Sequence, residues 1–232
     1  DHKNALGCGR EWYSLMADIE ILEREGMRYV RLTLDDEHVR VEGGALASVE
    51  GGVGVQVKVP SLPRVVKSML SEEAIIRPKC SGSGIIYLEP SLGGFHVLEL
   101  QGESWILERG AYWASEAGVE LGVYREPVIT SFRTGEGFID YKTRISGKGR
   151  AIFNTIGPLE EVTLNNSELS IERSHVVGRT DGLSYKVRRV GRSIFSKVFS
   201  GEALMRVFAG TGRLLICRTP YYQMRLLRAT ER

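Results

Sequence analysis

Gly82-Ser83-Gly84-Ile85-Ile86-Tyr87-Leu88 is a G-x-G followed at once by a β-prone apolar run. The same opening returns as Gly147-Lys148-Gly149-Arg150-Ala151-Ile152-Phe153. It returns once more, after a nearly equal interval, as Gly210-Thr211-Gly212-Arg213-Leu214-Leu215-Ile216. A single G-x-G carries little information, but three at nearly constant spacing mark an internal repeat. Gly82, Gly84, Gly147, Gly149, Gly210 and Gly212 are therefore repeat markers, of the kind that suits bulges and close backbone approach.

Two further markers keep the same step. Leu107-Glu108-Arg109-Gly110 is matched by Ile171-Glu172-Arg173-Ser174 and, earlier, by Val41-Glu42-Gly43-Gly44. An acid also precedes each G-x-G: Glu73, Glu136 and Glu202. The chain thus reads as three units of about 64 residues, permuted relative to its ends. Pseudo-symmetry could gather Glu73, Glu136 and Glu202 near one axis, to chelate a metal or hold an Arg ring. A feature present in every unit more often serves the fold, so a turn-capping role is the favoured reading. The same holds for Glu42, Glu108 and Glu172.

Within each unit apolar residues alternate with polar ones. Arg28–Leu34, Val53–Val59, His96–Leu100, Val119–Val123 and Glu161–Leu164 all show a period of two. That is the signature of half-buried strands. Asp35-Asp36, Gly43-Gly44, Gly51-Gly52, Gly93-Gly94, Asn165-Asn166 and Asp181-Gly182 read as turns between them. Gly51-Gly52-Val53-Gly54 lacks the Lys-Ser/Thr ending of a phosphate loop, which leaves the turn reading. Leu62–Leu70 and Ser193–Phe199 carry ambiguous helical signals. The expected architecture is an all-β sandwich or barrel of three pseudo-threefold repeats. Residues 1–15 are read as an N-terminal arm, 16–222 as one three-repeat β domain and 223–232 as a basic tail.

Composition narrows the class. The 232 residues are 42% hydrophobic and 26% charged, with a formal net charge of +2. Disorder needs lower hydrophobicity or a larger net charge. A membrane span needs about 18 consecutive apolar residues, longer than any run here. The small total hides a split. Residues 183–232 hold 11 Lys/Arg against Glu202 and Glu231, a net of +9, which leaves −7 for residues 1–182. Arg188, Arg189, Arg192, Arg225 and Arg228 are candidates for contact with an anion or a partner. The competing uses are solvated strand faces and contact with the chain's own acidic part. No basic start followed by an apolar core marks a signal peptide, so a cytoplasmic location is expected.

Chemistry-bearing residues are scattered. His2, His38, His96 and His175 share no metal-type spacing. Ser174 and His175, read as strand neighbours, would point to opposite faces. Cys8, Cys80 and Cys217 form no C-x-x-C, which suggests lone thiols or one long-range disulfide. Asp35-Asp36-Glu37-His38 is a turn cluster that could bind a cation, with the plain loop reading favoured. Glu72-Glu73 and Glu160-Glu161 are adjacent in sequence, which does not place two carboxylates across one cleft. Alternation puts Tyr112 and Trp113 on opposite faces, leaving one of them available for contact. No cofactor is implied.

The last repeat carries a resemblance to a known family. Ser200-Gly201-Glu202-Ala203-Leu204-Met205, then Phe208–Pro220, resembles the Gly-Glu-apolar, Gly-x-Gly, Arg-x-Pro ending of the family called altered inheritance of mitochondria protein twenty-four, also described as a mitochondrial biogenesis family. Gly43-Gly44-Ala45-Leu46 resembles that family's early Gly-Ala motif. The likeness runs from about Met16 to Tyr221. It implies a fold similar to the tryptophan RNA-binding attenuation protein, with β-sandwich units in threefold arrangement, and it brings no catalytic residues. The expectation is a non-enzymatic interaction or scaffold protein that self-associates, a trimer being one form. The alternatives are a small-ligand protein or enzyme with a site between repeats, and a single-stranded RNA binder using the basic C-terminal third with Phe195, Phe199, Phe208, Tyr221 and Tyr222.

Overall fold

The computed structural model describes residues 17–57, 77–91, 93–126, 141–189 and 204–218. These carry thirteen strands: β1 (Asp18–Arg24), β2 (Met27–Val41), β3 (Leu46–Gln56), β4 (Lys79–Leu88), β5 (Phe95–Gln101), β6 (Trp105–Leu107), β7 (Tyr112–Glu116), β8 (Val119–Arg125), β9 (Tyr141–Asn154), β10 (Leu159–Ile171), β11 (Val176–Thr180), β12 (Ser184–Arg189) and β13 (Leu204–Cys217). Among the described residues the helical content is one 3₁₀ turn, Arg173–His175. The all-β expectation holds. The candidate helices at Leu62–Leu70 and Ser193–Phe199 lie outside the described residues, as do the N-terminal arm and the basic tail.

The strands form one large antiparallel sheet, ordered β10-β13-β11-β6-β9-β7-β2-β4-β3. β1 joins β2, β12 joins β13, and both β5 and β8 join β9. Each G-x-G strand is flanked on both sides. β4 lies between β2 and β3. β9 lies between β5 and β6 on one side and β7 and β8 on the other. β13 lies between β10 and the pair β11, β12.

The glycines sit where these strands bend. Leu34 faces Gly84, Leu100 faces Gly149, and Leu164 faces Gly212. Just beyond each leucine the backbone turns left-handed, at Asp36 (φ 58°), Gly102 (φ 111°) and Asn166 (φ 48°). Asp, Asn and Gly are the residues that tolerate this region. In β2 and β10 an extra residue is accommodated there as a bulge. The middle residue of G-x-G ties each of these bulges down: the Asp36 amide donates to Ser83 Oγ (2.9 Å) and the Asn166 amide to Thr211 Oγ1 (3.1 Å). At the remaining bend the Gly102 amide donates to the Gly147 carbonyl (3.0 Å).

An extra residue changes which side chains face inward, because strand side chains alternate with a period of two. Val30, Leu32 and Leu34 are buried before the first bulge, and Val39 and Val41 after it. The same shift separates Leu98 and Leu100 from Trp105 and Leu107, and Leu164 from Ile171. The bends therefore keep long strands on the core. Asp35-Asp36 and Asn165-Asn166 correct the turn reading: they lie inside β2 and β10. Gly51-Gly52 likewise lies inside β3, opposite Gly84 and Ser83.

Three buried clusters follow from this layout. The first joins β2 and β4 to Ala114 and Ile152. The second joins Leu98, Trp105, Tyr112 and Phe153 to Val177, Leu215 and Cys217. The third holds Leu164, Ile171, Val176, Leu183, Phe208, Leu214 and Ile216. Each fully buried Leu, Ile or Phe contributes roughly 1.5–3 kcal/mol. Trp105 and Tyr112 are buried and Trp113 is half-buried, packed on the first cluster. Neither Tyr112 nor Trp113 is the exposed contact residue that alternation offered.

Candidate functional site

The recurring acids have different partners. Glu42, at the end of β2, binds Arg77 Nε at 2.9 Å through Oε2. Arg77 reaches on to Thr143 Oγ1 (2.7 Å) and lies over the Tyr112 ring, 4.9 Å from its centroid. Glu108, at the end of β6, binds Lys142 Nζ (2.9 Å) and Arg206 Nη1 (2.6 Å), both through Oε1. Glu172 turns to its own 3₁₀ turn, accepting from the Ser174 amide (2.8 Å) and the Ser174 hydroxyl. The expected turn-capping role thus applies to Glu172. Glu42 and Glu108 hold cations instead.

Around Glu108 the charges are deeply buried. Lys142 also binds Glu126 (3.1 Å), and Arg179 binds Glu126 at 3.3 Å. Lys142, Glu126, Arg179 and Arg206 expose 3% or less of their side chains. Aromatic rings line the cluster: Lys142, Arg179 and Arg206 all approach the Tyr185 ring within 5.6 Å of its centroid. Arg179 also lies over Tyr124 and Phe208. Cation–π contact adds attraction where water is excluded. Burial pushes the Glu108 carboxyl up, but Lys142 and Arg206, by charge and hydrogen bonds, outweigh that and hold it below the usual carboxylate range. Removing one partner from such a cluster costs about 3–5 kcal/mol, because a buried charge loses its counter-ion. The cluster therefore fixes how β6, β9, β11 and β13 meet.

A second polar feature is a cleft of about 630 Å³ lined by Asp36, Glu37, His38, Glu99, Glu116 and Lys148, among others. The buried Glu116 carboxylate takes hydrogen bonds from the Arg150 amide (2.6 Å), Nε (3.0 Å) and Nη2 (2.6 Å). Arg150 also donates to the Ala17 carbonyl. Burial raises Glu37, with nearby Glu116 and Asp35 adding repulsion. His38 is lowered by burial and by Lys79 and Arg40. Among the described residues no three His, Cys, Asp or Glu side chains are grouped to hold a metal ion.

The remaining candidates are dispersed. Ser174 and His175 sit in the 3₁₀ turn rather than on a strand, which corrects that reading. The His175 ring Nδ1 lies 2.8 Å from the Cys217 carbonyl, so it is engaged away from Ser174. Cys80 and Cys217 are both buried, in different core clusters. Glu73, Glu136, Glu202, Arg192, Arg225, Arg228, His2 and Cys8 lie outside the described residues. Arg188 is exposed on β12 and pairs with Glu168 (2.9 Å), and Arg189 stands opposite Leu204. Arg213 binds Glu103 and, at 3.1 Å, Glu161; Arg218 binds Glu160 at 2.6 Å. With Arg206 on Glu108, four arginines of the basic third thus meet acids from the chain's own acidic part.

Sequence reading did not single out Lys142, Glu126, Arg179 or Tyr185. One signal was present: Arg77, Lys142 and Arg206 recur at nearly the step that separates Glu42, Glu108 and Glu172. A second recurring charge, of opposite sign, accompanied the recurring acid.

The bent strands, the three apolar clusters and the buried ion pairs define an all-β protein with a charged cluster inside its core. The chain belongs to the mitochondrial biogenesis AIM24 family, whose model matches residues 19–218. It is 25% identical over 178 residues to an uncharacterised protein of Streptococcus pyogenes serotype M6, covering 75% of this chain and 66% of that protein. The matched part is therefore just under two thirds of that relative's length. An X-ray crystal structure of a Streptococcus pyogenes protein shares the fold, with a TM-score of 0.70 and 20% identity, covering 93% of this chain and all of the other. Among the described residues no helix is long and apolar enough to cross a membrane.

Proposed function

We propose that this chain is a non-enzymatic interaction module made of three related β units, and that it self-associates. The observation that carries the reading is the recurrence of one bend. Leu34 and Gly84, Leu100 and Gly149, and Leu164 and Gly212 are paired in the same way, each leucine followed by a left-handed residue. On this reading the units are β2–β4, β5–β9 and β10–β13. Residues 16–222 then form one domain, in the sandwich or barrel arrangement that the likeness to the tryptophan RNA-binding attenuation protein implies.

The non-enzymatic part is supported by the use of the charged groups. In the interior Glu108 binds Lys142 and Arg206, and Glu126 binds Lys142 and Arg179. A catalytic pair needs groups that converge on a reacting atom. The arginines of the basic third that pair with Glu103, Glu108, Glu160, Glu161 and Glu168 favour internal use of that charge over capture of a nucleic acid. The solution mass of the purified chain tests the reading. A mass of two or more chains supports it, and a single-chain mass at all concentrations contradicts it.

A further inference from the structure

We infer that two copies join strand to strand, the β3 edge of one adding antiparallel to the β10 edge of the next. The inference deepens the self-association proposed above and rests on the three-unit reading.

Two joints connect the units, and they are built alike. In the first, Val39, Arg40 and Val41 of β2 face Glu116, Ser115 and Ala114 of β7. In the second, Trp105, Ile106 and Leu107 of β6 face Thr180, Arg179 and Gly178 of β11. Val41 and Leu107 stand one repeat step apart, as do Arg40 and Ile106, and so do their partners Ala114 and Gly178. Each joint closes a core: Val41, Ala114 and Leu107 are 1% exposed or less.

The same steps define a third pair of edges. One step on from Leu107 is Ile171, at the end of β10. One step back from Ala114 is Ser48, on β3. β10 and β3 are the two ends of the strand order, and among the described residues each pairs on one side only, with β13 and β4. Ala47, Ser48 and Ser170 are exposed and Val49 is half-buried, whereas Ser115 and Arg179, the counterparts of Val49, are buried. One half of a joint stands at each end of the strand order.

β3 has the character of a strand that pairs. It is 11 residues long, and Glu50 is its one charged side chain. Val55 and, just beyond the strand, Val57 are 43% and 50% exposed. Proteins ordinarily protect such an edge with charge, proline or a covering element. A second copy brings the matching edge: among the described residues no strand pairs with β10 as β7 pairs with β2 and β11 with β6. The joints set the register: Ile171 faces Ser48, Ser170 faces Val49, and Leu169 faces Glu50. The interface is head-to-tail, so it builds a ring if the rotation closes and a filament if it does not.

Cysteine pairing tests this. In a Cys8→Ser background, one tagged population carries Val49→Cys and a second carries Ser170→Cys. Buried Cys80 and Cys217 remain. On mixing and mild oxidation, the expected product is a disulfide-linked species containing one of each. Linkage of Val49→Cys to itself overturns the proposal, as does a disulfide within a single dilute chain carrying both substitutions. A chain that has the mass of several copies yet forms no link also overturns the proposal, while leaving the self-association reading intact. Ser48→Lys with Ser170→Lys, both at exposed positions, is expected to lower the mass to one chain; an unchanged mass counts against the proposed edges.

Discussion

Gly82 meets the β3 backbone so closely that a Cβ built on it would lie 2.2 Å from the Gly52 carbonyl oxygen. Its counterpart Gly210 has nearly the same left-handed φ, 121° against 124°, but the nearest atoms to its would-be Cβ are 3.9 Å away. One conformation is thus required at both places, and close packing at only one.

That contrast predicts unequal costs for the same substitution. Gly210→Ala carries the backbone strain alone, about 1–3 kcal/mol. Gly82→Ala adds a clash with main chain that cannot rotate away, worth roughly a further 1–3 kcal/mol. At this length each kcal/mol lowers Tm by about 2–4 °C. Thermal melts of the two variants are expected to rank Gly82→Ala well below Gly210→Ala, and equal melts would show the close approach at Gly82 to be unimportant.

The Glu108 cluster predicts an acid limb. The folded carboxyl titrates below its ordinary value, since Lys142 and Arg206 outweigh the upward push of burial. A lowered folded pKa gives stability that is present above the unfolded pKa and lost as pH falls through the folded one. Denaturant unfolding of the intact chain should therefore show weakening stability as pH drops from the ordinary carboxylate range to the lower folded value. Glu108→Gln should be less stable at neutral pH and show a shallower loss over that window. Parallel curves for the two proteins would remove Glu108 from the account.

Arg213 and Arg218 should differ sharply. Arg213 bridges Glu103 and Glu161 and lies over the Trp105 ring, 5.0 Å from its centroid. Arg218 pairs with Glu160 and exposes 65% of its side chain. Exposed pairs contribute about 0–1 kcal/mol, so Arg218→Ala should be nearly silent in urea unfolding. Arg213→Ala loses two carboxylate partners and the ring contact, and about 1–3 kcal/mol is expected. A larger loss at Arg218 would contradict the assignment.

Much of the all-β fold was legible because strands bury alternate residues. The periods at Arg28–Leu34 and His96–Leu100 fall inside β2 and β5. Asp35-Asp36 and Asn165-Asn166 misled, because a bulge uses the same residues as a turn and differs only in where the chain goes next. The glycine markers were legible as places of constraint, but not their unequal packing, which depends on the strand opposite. The ion cluster was the least legible part. Glu126, Lys142, Arg179 and Arg206 come from four separate strands or strand ends, and a charged residue on a strand ordinarily signals the outer face. Burial here is compensated by partners that only the tertiary structure supplies.

Self-association of the chain is read from the absolute mass of the intact protein in solution. Light scattering across a dilution series, at low and high salt, should return a whole-number multiple of the 25.8 kDa chain greater than one. The multiple should persist at high salt, because main-chain pairing along β3 and β10 does not depend on charge. A mass of one chain throughout the series would contradict the claim.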